Sequence, residues 1–150
     1  MPVIWKSQLS TGNDLIDRDH KYLISLFNSI ELSLLKPDSL QYLPIFFREL
    51  LEYTREHFER EERIQLRIRY PYYAEHKMEH QKIIEHLETL NETVLKLMSA
   101  RDKLGDERIH QRLDSEIISL AREWIIDHVV KTDGKMARFL KQHPQELTDY

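Results

Sequence analysis

Residues 46–64, FFRELLEYTREHFEREERI, carry the pattern that decides the fold. Apolar side chains, including Phe47 and Leu50, recur in this stretch every three or four residues. This period predicts an amphipathic α-helix that buries one face. His57 and Glu61 belong to the same face, because four residues on an α-helix are separated by only about 40° around its axis. The predicted buried face therefore includes an imidazole and a carboxylate.

Three further stretches show the same period, and the few Pro and Gly residues separate them. Connections of only a few residues favour antiparallel neighbours. The sequence therefore predicts an all-α protein, an up-down-up-down antiparallel four-helix bundle. We expect its helices at 15–35, from a start between 39 and 43 to an end before Tyr70, at 72–101 and at 107–141.

The length of 150 residues suits a single domain. Only 3 glycines and 5 prolines are present, which argues against turn-rich β-sandwiches and barrels. We expect one domain over 1–150, with the bundle at 15–141. A non-helical N-terminal arm at 1–14, anchored by Trp5, precedes the bundle, and a C-terminal tail at 142–150 follows it.

The charge pattern bears on partners and location. A net charge of -4 argues against a nucleic-acid partner, because nucleic-acid-binding domains are usually basic on at least one face. No apolar run is long enough to span a membrane, so we expect no membrane partner. The first residues lack the pattern of a secretory signal, and we expect a cytoplasmic protein. The sequence does not indicate a protein partner.

The chain has no cysteine and 8 histidines. The absence of cysteine excludes disulfides, thiolate nucleophiles and iron–sulfur clusters. Imidazole and carboxylate remain as the strong metal donors. Seven such residues fall on or beside the predicted inner faces of the four helices: His20, His57, Glu61, His76, His80, His128 and Asp133.

A single inward histidine is usually a hydrogen-bonded core residue, but seven inward polar groups are costly to bury unless they bind something. His76 and His80 repeat the four-residue spacing. His128 and Asp133 are five residues apart, or about 140° on a regular helix, so they share a face only if the helix is distorted. We interpret Gly134 as a local bend that turns the Asp133 carboxylate inward.

Four motifs combine these residues in a recognisable order: Gly12-x-x-x-Ile16-Asp17-x-x-His20, His57-x-x-x-Glu61, Tyr70-Pro71 followed by His76-x-x-x-His80, and Trp124-x-x-x-His128-x-x-x-x-Asp133. Together, over residues 5–140, they resemble the hemerythrin family with its HHE cation-binding domain, and in particular the single-domain bacteriohemerythrins. All seven ligand positions of that family are filled.

The resemblance implies two non-haem iron ions joined by an oxo or hydroxo bridge. One ion would be held by His76, His80 and His128, the other by His20 and His57, and both would share Glu61 and Asp133. These bonds fill eleven of the twelve positions of two octahedral ions. The remaining position lies on the ion with two histidines, where O2 would bind.

The resemblance also implies a function: reversible O2 binding for oxygen storage, transport or buffering. We expect an apolar pocket wall formed by Leu23, Phe58, Trp124 and Ile125, which are equally typical of an ordinary core. Asp17 either accepts a hydrogen bond from a ligand imidazole or is a solvated carboxylate at a helix start.

Two other functions stay open. The same di-iron centre could support an enzyme acting on peroxide or nitric oxide, or an O2 or redox sensor acting through a separate partner. We favour the binding protein and assign no catalytic residue, because the inner faces offer no convincing additional acid or base.

Overall fold

The computed structural model describes residues 2–142, without the side chains of Pro37, Ile125 and Ile126. This part of the chain is helical and contains no β-strand. The helices are α1 Asp14–Leu35, α2 Leu43–Arg67, α3 Tyr73–Ser99, a single turn α4 Arg101–Leu104, α5 Asp106–Ala121, a π-helical segment Arg122–Thr132, and α6 Asp133–Leu140.

α5, the π-helical segment and α6 follow one another without a gap and form the last helix of a four-helix bundle. Cross-helix contacts show that neighbours are antiparallel. Asp19 of α1 pairs with Arg60 of α2, whereas Tyr22, further along α1, pairs with the earlier Glu49. The other neighbours follow the same order: Arg55 with Glu88 and Glu62 with Lys77, then His86 with Glu123 and Glu79 with Thr132.

The all-α bundle is therefore confirmed, and the predicted segments agree closely with the helices. One difference lies before α2, where the 3-10 helix Pro37–Tyr42 fills the connection. Another lies after α3, where predicted residues 72–101 end at Ser99 and α4 precedes Gly105. Gly105 has a φ of 78°, a left-handed conformation that glycine adopts without strain. Of the predicted tail at 142–150, residues 143–150 lie outside the described part of the chain.

The N-terminal arm packs along α1 and contains one 3-10 turn, Ser7–Leu9, so it is not entirely non-helical. Trp5 is half-buried against the main core, as expected for an anchor. Asn13 caps α1, because its side chain accepts a hydrogen bond from the backbone N–H of Ile16. These contacts fix the start of the helix that carries His20.

Buried apolar residues form two clusters. The main core extends from the middle of the bundle toward the α1–α2 connection and includes Leu34, Leu43 and Leu87. A smaller cluster lies toward the opposite end and consists of Ile16, Ile64, Ile68, Tyr70, Met136 and Leu140. The predicted metal-binding residues lie where the two clusters meet: on α1, for example, His20 follows Ile16 of the smaller cluster and precedes Leu23 of the main core.

The last helix is distorted, as the five-residue spacing of His128 and Asp133 indicated, but the distortion lies before the position that we expected. In the π-helical segment, hydrogen bonds join residues five apart, and the N–H of Asp133 donates to the carbonyl of His128. This wider turn brings the five-residue spacing of His128 and Asp133 onto one side. The interpretation of Gly134 as the bend was wrong, since Gly134 lies within α6 and the distortion precedes it.

Every helix among residues 2–142 falls short of the length and hydrophobicity that a bilayer-crossing segment needs.

Candidate metal centre

The predicted metal-binding side chains converge in the middle of the bundle. α1 contributes one imidazole, α2 an imidazole and a carboxylate, α3 two imidazoles, and the last helix an imidazole and a carboxylate. Each residue exposes at most 2% of its surface: His20, His57, Glu61, His76, His80, His128 and Asp133.

These side chains form two overlapping groups, and within each the potential ligand atoms lie within 4.8 Å of one another. The first group has three imidazoles, those of His76, His80 and His128. The second has two, those of His20 and His57. Glu61 and Asp133 belong to both groups. The division coincides with the one that the resemblance implied.

Each shared carboxylate presents one oxygen to each group. Glu61 Oε1 lies 2.6 Å from His76 Nε2 and 3.3 Å from His80 Nε2. Its other oxygen, Oε2, lies 3.0 Å from His57 Nε2. Asp133 is arranged in the same way, with Oδ1 2.9 Å from His76 Nε2 and Oδ2 3.1 Å from His20 Nε2. This is the orientation that two bridging carboxylates require.

The donor atoms of the cluster are poorly satisfied by the protein itself. Both carboxylate oxygens of Glu61 and Asp133 are buried without a hydrogen bond of proper geometry, as are the Nε2 atoms of His20, His57 and His76. Leaving buried polar atoms unsatisfied destabilises a fold. A set of imidazole nitrogens and carboxylate oxygens is also the donor set that iron accepts. The residues present therefore fit a pair of cations.

The electrostatics of the cluster support the same conclusion. Burial lowers the pKa of His57, but Asp19 and Glu61 outweigh burial and raise that pKa to about 9. Burial also lowers the pKa of His76, whereas Asp133 and Glu61 raise it to about 10. Protons and cations compete for these nitrogens, because only a deprotonated imidazole nitrogen can bind a metal. The carboxylates thus attract positive charge to the cluster, whether as protons on the imidazoles or as metal cations.

Two further carboxylates contact imidazoles of the cluster at Nδ1, the ring nitrogen opposite Nε2. Asp19 Oδ2 lies 2.9 Å from His57 Nδ1, and Glu79 Oε2 lies 3.2 Å from His128 Nδ1. Such contacts orient a ligand imidazole and fix its tautomer. Sequence reasoning missed both carboxylates, because each approaches its histidine from a neighbouring helix. The position of Asp19 directly before His20 was the one available signal.

Asp17 contacts none of the cluster imidazoles; it is the half-buried carboxylate in the first turn of α1, and its hydrogen bonds hold the N-terminal arm. Its carboxylate accepts hydrogen bonds from the Ser10 hydroxyl and from the N–H and hydroxyl of Thr11. Asp17 therefore holds the N-terminal arm against α1, and the buried carboxylate that contacts an imidazole of the cluster is Asp19, two residues later.

Three of the four predicted pocket residues are buried in the main core: Leu23, Phe58 and Trp124. The Phe58 ring stacks on His80 at 3.7 Å between centroids. The Trp124 ring lies 6.0 Å from that of His20 and 5.9 Å from that of His57. Aromatic side chains thus adjoin both groups. The side chain of Ile125 lies outside the described part of the structure.

Comparisons with known proteins agree with this geometry. The family model described as "Hemerythrin HHE cation binding domain" matches residues 11–140. Curated relatives named bacteriohemerythrin include one from Campylobacter jejuni, which is 26% identical over 89% of this chain and 92% of its own length. Another, from Stenotrophomonas maltophilia, is 24% identical over 94% of this chain and 83% of its own length. A third, from Clostridium acetobutylicum, is 29% identical over 87% of this chain and 95% of its own length.

Proposed function

We propose that this chain, which belongs to the hemerythrin family, binds O2 reversibly at a di-iron centre and serves in oxygen storage, transport or buffering. The observation that carries the proposal is the unequal division of the buried cluster. One group has three imidazoles, the other has two, and the same two carboxylates serve both.

In this proposal, His76, His80 and His128 hold one iron ion, and His20 and His57 hold the other. Glu61 and Asp133, each of which presents one oxygen to each group, would be shared by the two ions. When bound, the two irons would supply the electrons that O2 accepts on binding and returns on release. The two-imidazole ion has fewer protein ligands, which leaves room there for a small molecule.

The surrounding side chains support binding rather than turnover. Leu23 and Trp124 are buried, at 2% and 1% exposure, and the Trp124 ring adjoins both imidazoles of the two-imidazole group. An apolar wall excludes water and protons from the place where O2 would lie. Slower protonation would delay the loss of reduced oxygen species, so that O2 leaves as O2.

The first experiment loads the protein with Fe(II) without oxygen, counts the iron, admits air and then removes the oxygen while the visible spectrum is recorded. We expect two irons per chain and absorption bands that appear with O2 and disappear without it. A catalytic loss of added peroxide or nitric oxide, with irreversible oxidation in air, would favour the enzyme instead.

A pair of histidine variants gives this experiment its control. His76→Ala removes a side chain that contacts both shared carboxylates, so we expect the two-iron stoichiometry and the O2-dependent bands to be lost. His86→Ala removes a histidine of the same helix that pairs with Glu123 on the half-exposed surface. We expect His86→Ala to keep both properties. Reversible bands in His76→Ala would contradict the assignment of the site.

A further inference from the structure

A buried carboxylate outside the seven-residue cluster contacts the two-imidazole group. Asp19 is 1% exposed and accepts four hydrogen bonds. They come from His57 Nδ1 at 2.9 Å, from the Tyr53 hydroxyl at 2.7 Å, and from Arg60 Nε and Nη2 at 2.8 and 3.0 Å. We refer to Asp19, Tyr53 and Arg60 as the Asp19 cluster.

Asp19 differs from the carboxylates that face the three-imidazole group. The side chain of Glu79, which contacts His128, is 49% exposed. Glu62 lies 3.7 Å from His80 Nδ1, beyond hydrogen-bond distance. Water weakens the influence of an exposed charge, whereas a buried charge acts in a medium of lower dielectric constant. Asp19 therefore acts on its imidazole more strongly than Glu79 or Glu62 acts on theirs.

The members of the Asp19 cluster have opposite effects on His57. A carboxylate that accepts the Nδ1–H of an imidazole increases the electron donation of the opposite nitrogen, Nε2. Tyr53 and Arg60 donate to the same carboxylate and draw negative charge away from it. Asp19 thus makes His57 a stronger donor, and its two other partners limit that gain.

We propose that the Asp19 cluster sets the reduction potential of the iron ion held by His20 and His57. This inference rests on the proposed function. Asp19 lowers the potential because it strengthens donation by His57, and Tyr53 and Arg60 moderate that lowering. All three are positioning residues, since they act on the ion through His57. The balance between them would decide how readily the centre gives electrons to O2 and takes them back.

The main test measures the midpoint potential of the iron-loaded protein without oxygen, using redox mediators. Asp19→Asn keeps the shape of the side chain and removes its charge, so we expect a shift to more positive potential. We also expect iron affinity, measured by competition with a chelator, to fall about 10-fold. Asp17→Asn is the matched control, because Asp17 is on the same helix and binds Ser10 and Thr11. We expect the control to shift neither quantity.

Tyr53→Phe provides a readout that a merely structural role would not give. The variant keeps the ring, which packs against Tyr22, and removes one hydrogen-bond donor to Asp19. The Asp19 carboxylate then holds more negative charge toward His57, so we expect a shift to more negative potential, opposite to that of Asp19→Asn. General disturbance of the site would move both variants in the same direction.

Shifts of the same sign, or the absence of a shift in Tyr53→Phe, would overturn the proposal. If Asp19→Asn does not fold or bind iron, the midpoint potential of Tyr53→Phe is compared with that of the parent protein, and the sign of this one shift decides the proposal. The potentials require no O2, so the two proposals can fail separately. A parent protein that binds two irons and no O2 refutes the proposed function, and the variants still test the Asp19 cluster.

Discussion

The main apolar core and the polar cluster are built on the same four helices and are equally buried, yet they achieve stability in different ways. Leu87 and Leu120 are fully buried, and so are Glu61 and Asp133. Burial of apolar side chains against one another removes them from water and stabilises the folded state without a further partner. The buried carboxylate oxygens and imidazole nitrogens of the cluster lack well-oriented hydrogen-bond partners within the protein. They need a bound cation to offset the cost of their desolvation. The core should therefore stabilise the fold unconditionally, and the cluster only when cations are bound.

Iron removal tests this contrast most strongly. A ligand that binds only the folded state raises the free energy of unfolding by about 4 kcal/mol for each ion at about 1,000 times its dissociation constant. We expect chelation to lower the melting temperature markedly, measured by circular dichroism without oxygen. The His76→Ala variant should show a smaller iron-dependent change in melting, because the two-imidazole group remains. Equal melting of the parent protein with and without Fe(II) would contradict the contrast.

Truncation of a side chain in the main core should lower stability to the same extent with and without iron. Leu87→Ala deletes part of a fully buried side chain and should lower the free energy of unfolding by about 2–5 kcal/mol. Because Leu87 lies in the main core, away from the cluster, we expect the same loss with and without iron, measured by urea unfolding. The iron content should stay at that of the parent protein. A loss confined to the iron-loaded form would show that the two regions are coupled.

The smallest effect on the free energy of unfolding is expected at the start of α1. It tests whether a local capping interaction stabilises the helix without affecting the cluster. Asn13→Ala removes the cap of α1, which donates His20 to the cluster, and should lower the free energy of unfolding by about 1 kcal/mol. We expect the iron content and the O2-dependent spectrum to be unchanged, because His20 lies seven positions, almost two helical turns, after the cap. Asp14→Ala, in the first turn and exposed, serves as the comparison and should have a smaller effect. A spectral change in Asn13→Ala would indicate that the helix start positions the imidazole.

The contrast also explains what could be predicted from the sequence. Helical periodicity depends on local sequence, so the four helices and the inward direction of His57, Glu61, His76 and His80 could be predicted. The same periodicity failed for the last helix, because it assumes a regular turn and the π-helical segment does not have one. The five-residue spacing signalled a distortion, but its location required the structure.

The carboxylates that support the imidazoles could not be predicted for a different reason. Asp19 and His57 are 38 residues apart, and their contact depends on how α1 packs against α2. Asp17 is the better candidate by motif, yet it turns toward the N-terminal arm. A period specifies which face of a helix is buried, whereas the partner of a side chain on that face is decided by tertiary packing.

The π-helical segment has a consequence for how this chain can diverge. Its hydrogen bonds join residues five apart, so each of its turns holds more residues than a turn of a regular α-helix. Loss of one residue between His128 and Asp133 would leave them four apart, which on a regular α-helix is again the same face. A related chain with one residue fewer here could therefore keep both side chains pointing inward. In an alignment, a gap at this place would mark a change in helix geometry rather than the loss of a binding residue.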